Sequence, residues 1–119
     1  MDERTAKEFL HIENWLDRAA EIVAKGEQLY RSDALLQEAG DSIMMKLGEA
    51  ARRITGMEIQ APVGVDWSLA VANRNFIIHQ YDEISRALTW QTLAVDLPKW
   101  RQLLDPLISK SYLTLGLDR

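Results

Sequence analysis

Apolar residues recur every three or four positions along most of this chain, and nowhere do they alternate with polar ones over the length of a strand. A period near 3.6 buries one stripe of a helix, and such stripes are covered only by other helices, so the fold class is all-α. Phe9, Ile12, Leu16, Ala19, Ala20 and Val23 mark a first amphipathic helix that stops at Gly26. Ser32 or Asp33 can cap a second, whose apolar set Leu36, Ala39, Ile43, Leu47, Ala50, Ala51 and Ile54 runs to Gly56. Gly48 lies inside that helix at a cost of about 1 kcal/mol relative to alanine, which predicts close approach of a neighbouring helix. The stretch from Gly56 to Asp66 holds Pro62 and Gly64, has no period, and is the one long internal loop. Asp66 is expected to cap a third helix through Trp67, Leu69, Ala70 and Ala72 into the segment Arg74 to Tyr81. Thr89 is expected to cap a fourth through Trp90, Leu93 and Leu97, with Pro98 as a kink or the start of a new helical segment. Trp100, Leu103, Leu104, Leu107 and Ile108 continue its apolar face. The expectation is an antiparallel bundle of four to five helices, a single domain over residues 1–108 with a loosely held tail at 109–119.

Composition narrows the function. At 119 residues the chain has room for one modest core. No apolar run approaches the roughly 20 residues that span a bilayer, so no membrane association is expected. Met1-Asp2-Glu3-Arg4 leads into a polar helix rather than an apolar signal core, and the expected compartment is the cytoplasm. The absence of cysteine removes disulfides, thiolate metal sites and a cysteine nucleophile. The net charge of −4 argues against a general nucleic-acid coat, but it is unevenly spread. Residues 1–41 carry ten acids and five bases, a balance of −5, whereas residues 42–119 carry eight acids and nine bases, a balance of +1. A site for a polyanion belongs in the second part.

His11 and His79 fall on different helices, with no His-Glu-x-x-His and no carboxylate-x-x-His pair, so neither a metal nor another cofactor is expected. Gly48, Gly56 and Gly64 are isolated and build no phosphate loop. His11 is expected to have no role. The segment Arg74-Asn75-Phe76-Ile77-Ile78-His79-Gln80-Tyr81 is different, because it concentrates polar groups on an otherwise apolar helix in the more basic part of the chain. Asn75 and His79 share a face one turn apart, whereas Arg74 and His79 lie about 140° apart on a regular helix. For both to address one substrate, the helix must end or kink near His79, or two copies must pool their residues across a two-fold axis. The chemistry that fits is phosphodiester cleavage in RNA. Imidazole exchanges protons near neutral pH and can take one from a 2′-hydroxyl; an arginine fork can hold the phosphate and the charge that builds on it. The same four residues could also form a structural hydrogen-bonded network at a helix end, with Tyr81 packed and its hydroxyl satisfied.

The string Arg74-Asn75-x-x-x-His79-x-Tyr81 resembles the Arg-x4-His motif of the HEPN superfamily of small helical ribonucleases, in the form found in the HepT toxin family. Leu47-Gly48-Glu49-Ala50-Ala51-Arg52-Arg53-Ile54 is similar to that family's Ile-Gly-Glu-Ala helix, and Val65-Asp66-Trp67 to its lead-in to the motif helix. The stretch from Trp90 to Trp100, with Asp96-Leu97-Pro98, is similar to its C-terminal helix, so the likeness covers about residues 33–104. The resemblance implies a HEPN-like bundle that forms a homodimer, with two motif segments facing one cleft, and metal-independent endonucleolytic cleavage of RNA. It implies that Arg74 stabilises the phosphate, that His79 transfers protons and that Asn75 positions one of them or the RNA. It further implies a toxin–antitoxin pair of a type II or type VII-like kind. The partner would be an MNT-type nucleotidyltransferase antitoxin that neutralises the toxin by transferring AMP to Tyr81. Added phosphate beside Arg74 and His79 would repel RNA and occupy the cleft. Two alternatives remain at this level: a non-catalytic helical module that binds a nucleotide or the nucleotidyltransferase, and a purely structural helical dimer.

Overall fold

The computed structural model describes residues 1–57 and 59–119 and, at Tyr81, the backbone alone. Among the described residues six α-helices follow one another: α1 (Glu3–Ala24), α2 (Glu27–Ser32), α3 (Ala34–Gly56), α4 (Trp67–His79), α5 (Arg86–Gln91) and α6 (Leu97–Thr114). A 3-10 turn at Tyr81–Glu83 follows α4, and a π turn at Thr92–Asp96 joins α5 to α6. There is no strand among the described residues, and the all-α bundle read from the periodicity is what the chain forms.

The helices begin where short polar side chains can satisfy free backbone N–H groups. Asp2 accepts from Thr5 N at 2.8 Å, Asp33 from Leu35 N at 2.9 Å and Asp66 from Ser68 N at 2.9 Å. Gly26, at φ 94°, turns the chain out of α1 into the short α2, an element that six residues of weak pattern did not announce. Thr89 does not cap the fourth helix. Ser85 does, accepting from Leu88 N at 3.4 Å, while Thr89 sits inside α5, donates to Arg86 O and accepts from the buried Tyr30 hydroxyl at 2.6 Å. Thr89 is spent on a tertiary contact that periodicity cannot see. The π turn has a local cause: Pro98 has no N–H for the carbonyl of Ala94, and just before it the Leu97 N–H reaches back five residues to Thr92 O.

Partners across the bundle fix its directions. Glu8 meets Arg53 and Trp15 meets Lys46, so α1 and α3 are antiparallel; Glu13 meets Arg101 and Met1 meets Ser111, so α1 and α6 are too. Phe9, Ile12 and Leu16 of α1, Leu47, Ala50, Ala51 and Ile54 of α3, and Leu93, Leu104 and Ile108 of the last segment make the centre of the core. Each leucine-sized side chain buried there is worth roughly 1.5–3 kcal/mol. The tryptophans anchor its edges. Trp67 packs edge-on against Trp100 at 5.6 Å, Trp90 packs against Tyr30 at 5.5 Å, and Trp15 lies under the Lys46 ammonium at 4.5 Å.

The chain from Ser109 is not a loose tail as far as Thr114. It continues α6, with Ser111 fully buried, because α1 presents a buried carboxylate that needs donors. Glu13 accepts from the Tyr112 hydroxyl at 2.5 Å, from Arg101 at 3.1 Å and from Arg119 at 3.3 Å. Donation to Glu13, reinforced by desolvation, holds the Tyr112 phenol above its ordinary range. A second polar tie lies under α5, where Arg86 grips Asp41 with two hydrogen bonds of 2.7 and 3.0 Å. The bond to Asp41 comes first among the causes that raise Arg86 above its ordinary range. Asp41 is buried, so removing its charge strands the guanidinium. Asp41→Ala is expected to cost about 3 kcal/mol in urea denaturation, and Asp41→Ala/Arg86→Met to recover most of it. Equal stability of the two variants would count against a buried pair.

Candidate functional site

The motif helix α4 rests on α3 and, among the described elements, has no comparable contact elsewhere. The contact is tight at one place. A Cβ built on Gly48 would lie 2.4 Å from Arg74 Cβ and 2.6 Å from the carbonyl oxygen of Ala70, so no residue larger than glycine fits between the two backbones. This is the close approach that an unexplained glycine inside α3 predicts. It sets Arg74 against α3, with its side chain 20% exposed.

Three donors of Arg74 are engaged. Nη1 donates to Asn75 Oδ1 at 2.9 Å, and Nε and Nη2 approach Glu49 Oε1 at 3.4 and 3.3 Å. A guanidinium has five N–H groups, so two have no protein partner among the described residues, one on each terminal nitrogen. Asn75 is exposed on the same helix, and His79 is exposed at its last residue. The helix does end at His79. The Gln80 N–H closes back on Phe76 O at 2.8 Å, and the chain turns into the 3-10 segment instead of continuing as helix through Tyr81. Arg74 and His79 both lie within α4, so the end of the helix leaves them about 140° apart, and a common substrate requires two copies to pool their residues. The side chain of Tyr81 lies outside the described residues.

The start of α4 is set by Asp66, whose carboxylate is held below its ordinary value of 3.8 first by the Ser68 hydroxyl and then by the Ser68 and Leu69 N–H groups. Its contribution to the fold is present above that ordinary value and is lost as pH falls through the lowered one. At neutral pH the cap is fully charged.

Two hollows lie beside the motif rather than on it. A groove of about 520 Å³ runs between α4 and the last segment, lined by Met44, Leu69, Asn73, Leu97, Trp100 and Leu103 among others. A smaller one of about 280 Å³ continues past Asn73 to Phe76, Ser85 and Leu88. Neither is lined by Arg74, Asn75 or His79. His11 is exposed on α1. Among the described residues no group of three or more His, Asp or Glu is placed to hold a metal ion, and no helix is long and apolar enough to cross a membrane.

Glu49 was not foreseen as part of the site. The signal for it was an acid directly after a helix-interior glycine, since a close approach at one position brings the next residue within reach of whatever approaches. An all-α bundle with an Arg-x4-His segment ending its motif helix defines a class of helical ribonuclease domains. The chain matches the family model described as "Ribonuclease HepT-like" over residues 12–107, and it belongs to that family. Neither the search of curated proteins nor that of solved structures found a match.

Gly48→Ala tests the contact that seats Arg74. Alanine regains up to about 1 kcal/mol of helix propensity, but overpacking against a backbone carbonyl cannot be relieved by a rotamer change and costs about 3 kcal/mol. A net loss of about 2 kcal/mol in urea denaturation is expected. Gly56→Ala, with nothing within 4 Å of its added Cβ, is expected to lose nothing.

Proposed function

We propose that this chain is the toxin of a toxin–antitoxin pair and an endoribonuclease that cuts RNA without a metal. The observation that carries the reading is the end of α4, where two Arg74 N–H groups have no partner among the described residues and His79 stands exposed five residues on. In this reaction the 2′-oxygen attacks phosphorus as its proton leaves to a base, the bond to the 5′-oxygen breaks, and that oxygen takes up a proton. His79 serves the proton transfers, Arg74 holds the phosphate and the charge that accumulates on it, and Asn75 keeps Arg74 turned toward it. The products carry 2′,3′-cyclic phosphate and 5′-hydroxyl ends. The cytoplasm, where RNA is plentiful, is the place of action.

The active form is a homodimer. Support comes from one face of α4 and its neighbourhood, where Leu69, Phe76 and Leu88 are 58%, 46% and 66% exposed; apolar side chains exposed together in this way mark a surface that binds another protein. Pairing two copies there brings two motif segments toward one cleft. The antitoxin is an MNT-type nucleotidyltransferase, and it silences the toxin by transferring AMP to the Tyr81 hydroxyl. The modification sets a negative phosphate two residues from His79, and it competes with RNA for Arg74.

Two experiments check this. Purified chain incubated with total RNA and a chelator is expected to release cyclic-phosphate ends, with His79→Ala and Arg74→Ala each slower by about 100-fold or more. No cleavage by a folded, unmodified dimer would favour a non-catalytic module that binds the nucleotidyltransferase. Mass spectrometry of chain co-expressed with such a nucleotidyltransferase should show added AMP on the peptide carrying Tyr81 and none on Tyr81→Phe; an unmodified peptide refutes the assignment of Tyr81.

A further inference from the structure

Gly48 and Glu49 are neighbours on α3, and both act on the same side chain. Gly48 sets how near the Arg74 backbone comes, and Glu49 receives its guanidinium. Contact with α3 leaves the arginine mostly covered, at 20% exposure, whereas Glu49 is 52% exposed. A half-exposed ion pair of this kind adds little to folding, so its consequence lies in geometry. Nε and Nη2 are one edge of the planar guanidinium, and both reach the same oxygen, Oε1, while Nη1 is held from the other side by Asn75. An arginine gripped at two of its edges cannot swing about its last torsions. Its two remaining N–H groups point in a fixed direction, with their orientational cost met before a ligand arrives.

We propose that Glu49 is a positioning residue for Arg74: it orients the guanidinium so that the free N–H pair presents to a phosphate of the substrate. The inference rests on the ribonuclease reading for the identity of that phosphate, but the seat itself does not. Glu49 contributes its acceptor oxygen more than its charge, because a full negative charge beside Arg74 weakens attraction for phosphate and a neutral amide oxygen can accept the same two hydrogen bonds. The opposite role, a latch that phosphate must displace, predicts faster or tighter action once the acid is removed.

The test compares Glu49→Ala with Glu49→Gln in the full-length protein by two measurements. In RNA cleavage, Glu49→Ala is expected to lower kcat by about 10- to 100-fold with a smaller change in KM, the cost of a misplaced group, while Glu49→Gln keeps kcat within about threefold of wild type. In NMR, the Arg74 Nε–H signal, assigned by its loss in Arg74→Lys, is expected to be protected from solvent exchange in wild type and Glu49→Gln and unprotected in Glu49→Ala. All three proteins are expected to melt together, which separates positioning from folding. Cleavage by Glu49→Ala at or above the wild-type rate overturns the proposal, as does an Arg74 Nε–H that stays protected without Glu49. If wild type leaves RNA intact, the ribonuclease reading fails, and the exchange measurement alone decides whether Glu49 seats Arg74.

Discussion

The meeting of two backbones at Gly48 governs the functional end of this molecule. α4 carries Arg74, Asn75 and His79, yet it leans on one helix, and it leans closely only because α3 lacks a side chain where Arg74 and Ala70 arrive. Helix pairs normally stand 8–10 Å apart, with side chains interleaved between them. Removing one side chain lets the arginine stem run along α3 and brings its head to Glu49 in the next position. The glycine weakens α3 by about 1 kcal/mol of propensity, and α3 tolerates this because it is 23 residues long and packed on both α1 and α4.

The second constraint is the tie under the segment that follows the motif. After His79 the chain makes a 3-10 turn, and α5 is then locked by Arg86 on Asp41 and by Tyr30 on Thr89. Both partners belong to the first part of the chain, one on α3 and one on α2. The motif's exit is therefore pinned to the same helix as its body. A short helix of six residues, too short to persist alone, serves as the shelf for one of these ties.

Much of this was legible in the sequence, and what was not has a common physical origin. The periodic helices, the caps at Asp33 and Asp66, the loop before α4 and the close approach at Gly48 are encoded within a turn or two of the residues that cause them. The motif was legible as a string. The Thr89–Tyr30 bond, the helical course of residues 109–114 and the Glu49–Arg74 contact depend on partners 25 to 110 positions away, as with Ser111 on Met1. A threonine that satisfies Tyr30 looks, locally, like any good cap, and a tyrosine that satisfies a carboxylate across the bundle looks like part of a tail.

The charge split along the chain takes on a different meaning once the pairs are seen. The second part carries a balance of +1, but Arg53, Arg74, Arg86, Arg101 and Arg119 each face a carboxylate, and Glu8, Asp41, Glu13 and Asp17 from the acidic first part supply most of those partners. The excess acid of residues 1–41 is thus largely counter-charge for arginines that hold the bundle together. Few cations are left over to neutralise a polyanion at a distance, and affinity that comes from counterion release grows with the number of phosphates neutralised. On the proposed reading, the chain gains little from electrostatic capture and depends on holding a single phosphate well. That shifts the burden onto an arginine whose direction is fixed in advance. It also gives a second copy of the chain a reason to be present, since a dimer doubles the cations around one cleft without weakening the ion pairs inside either bundle.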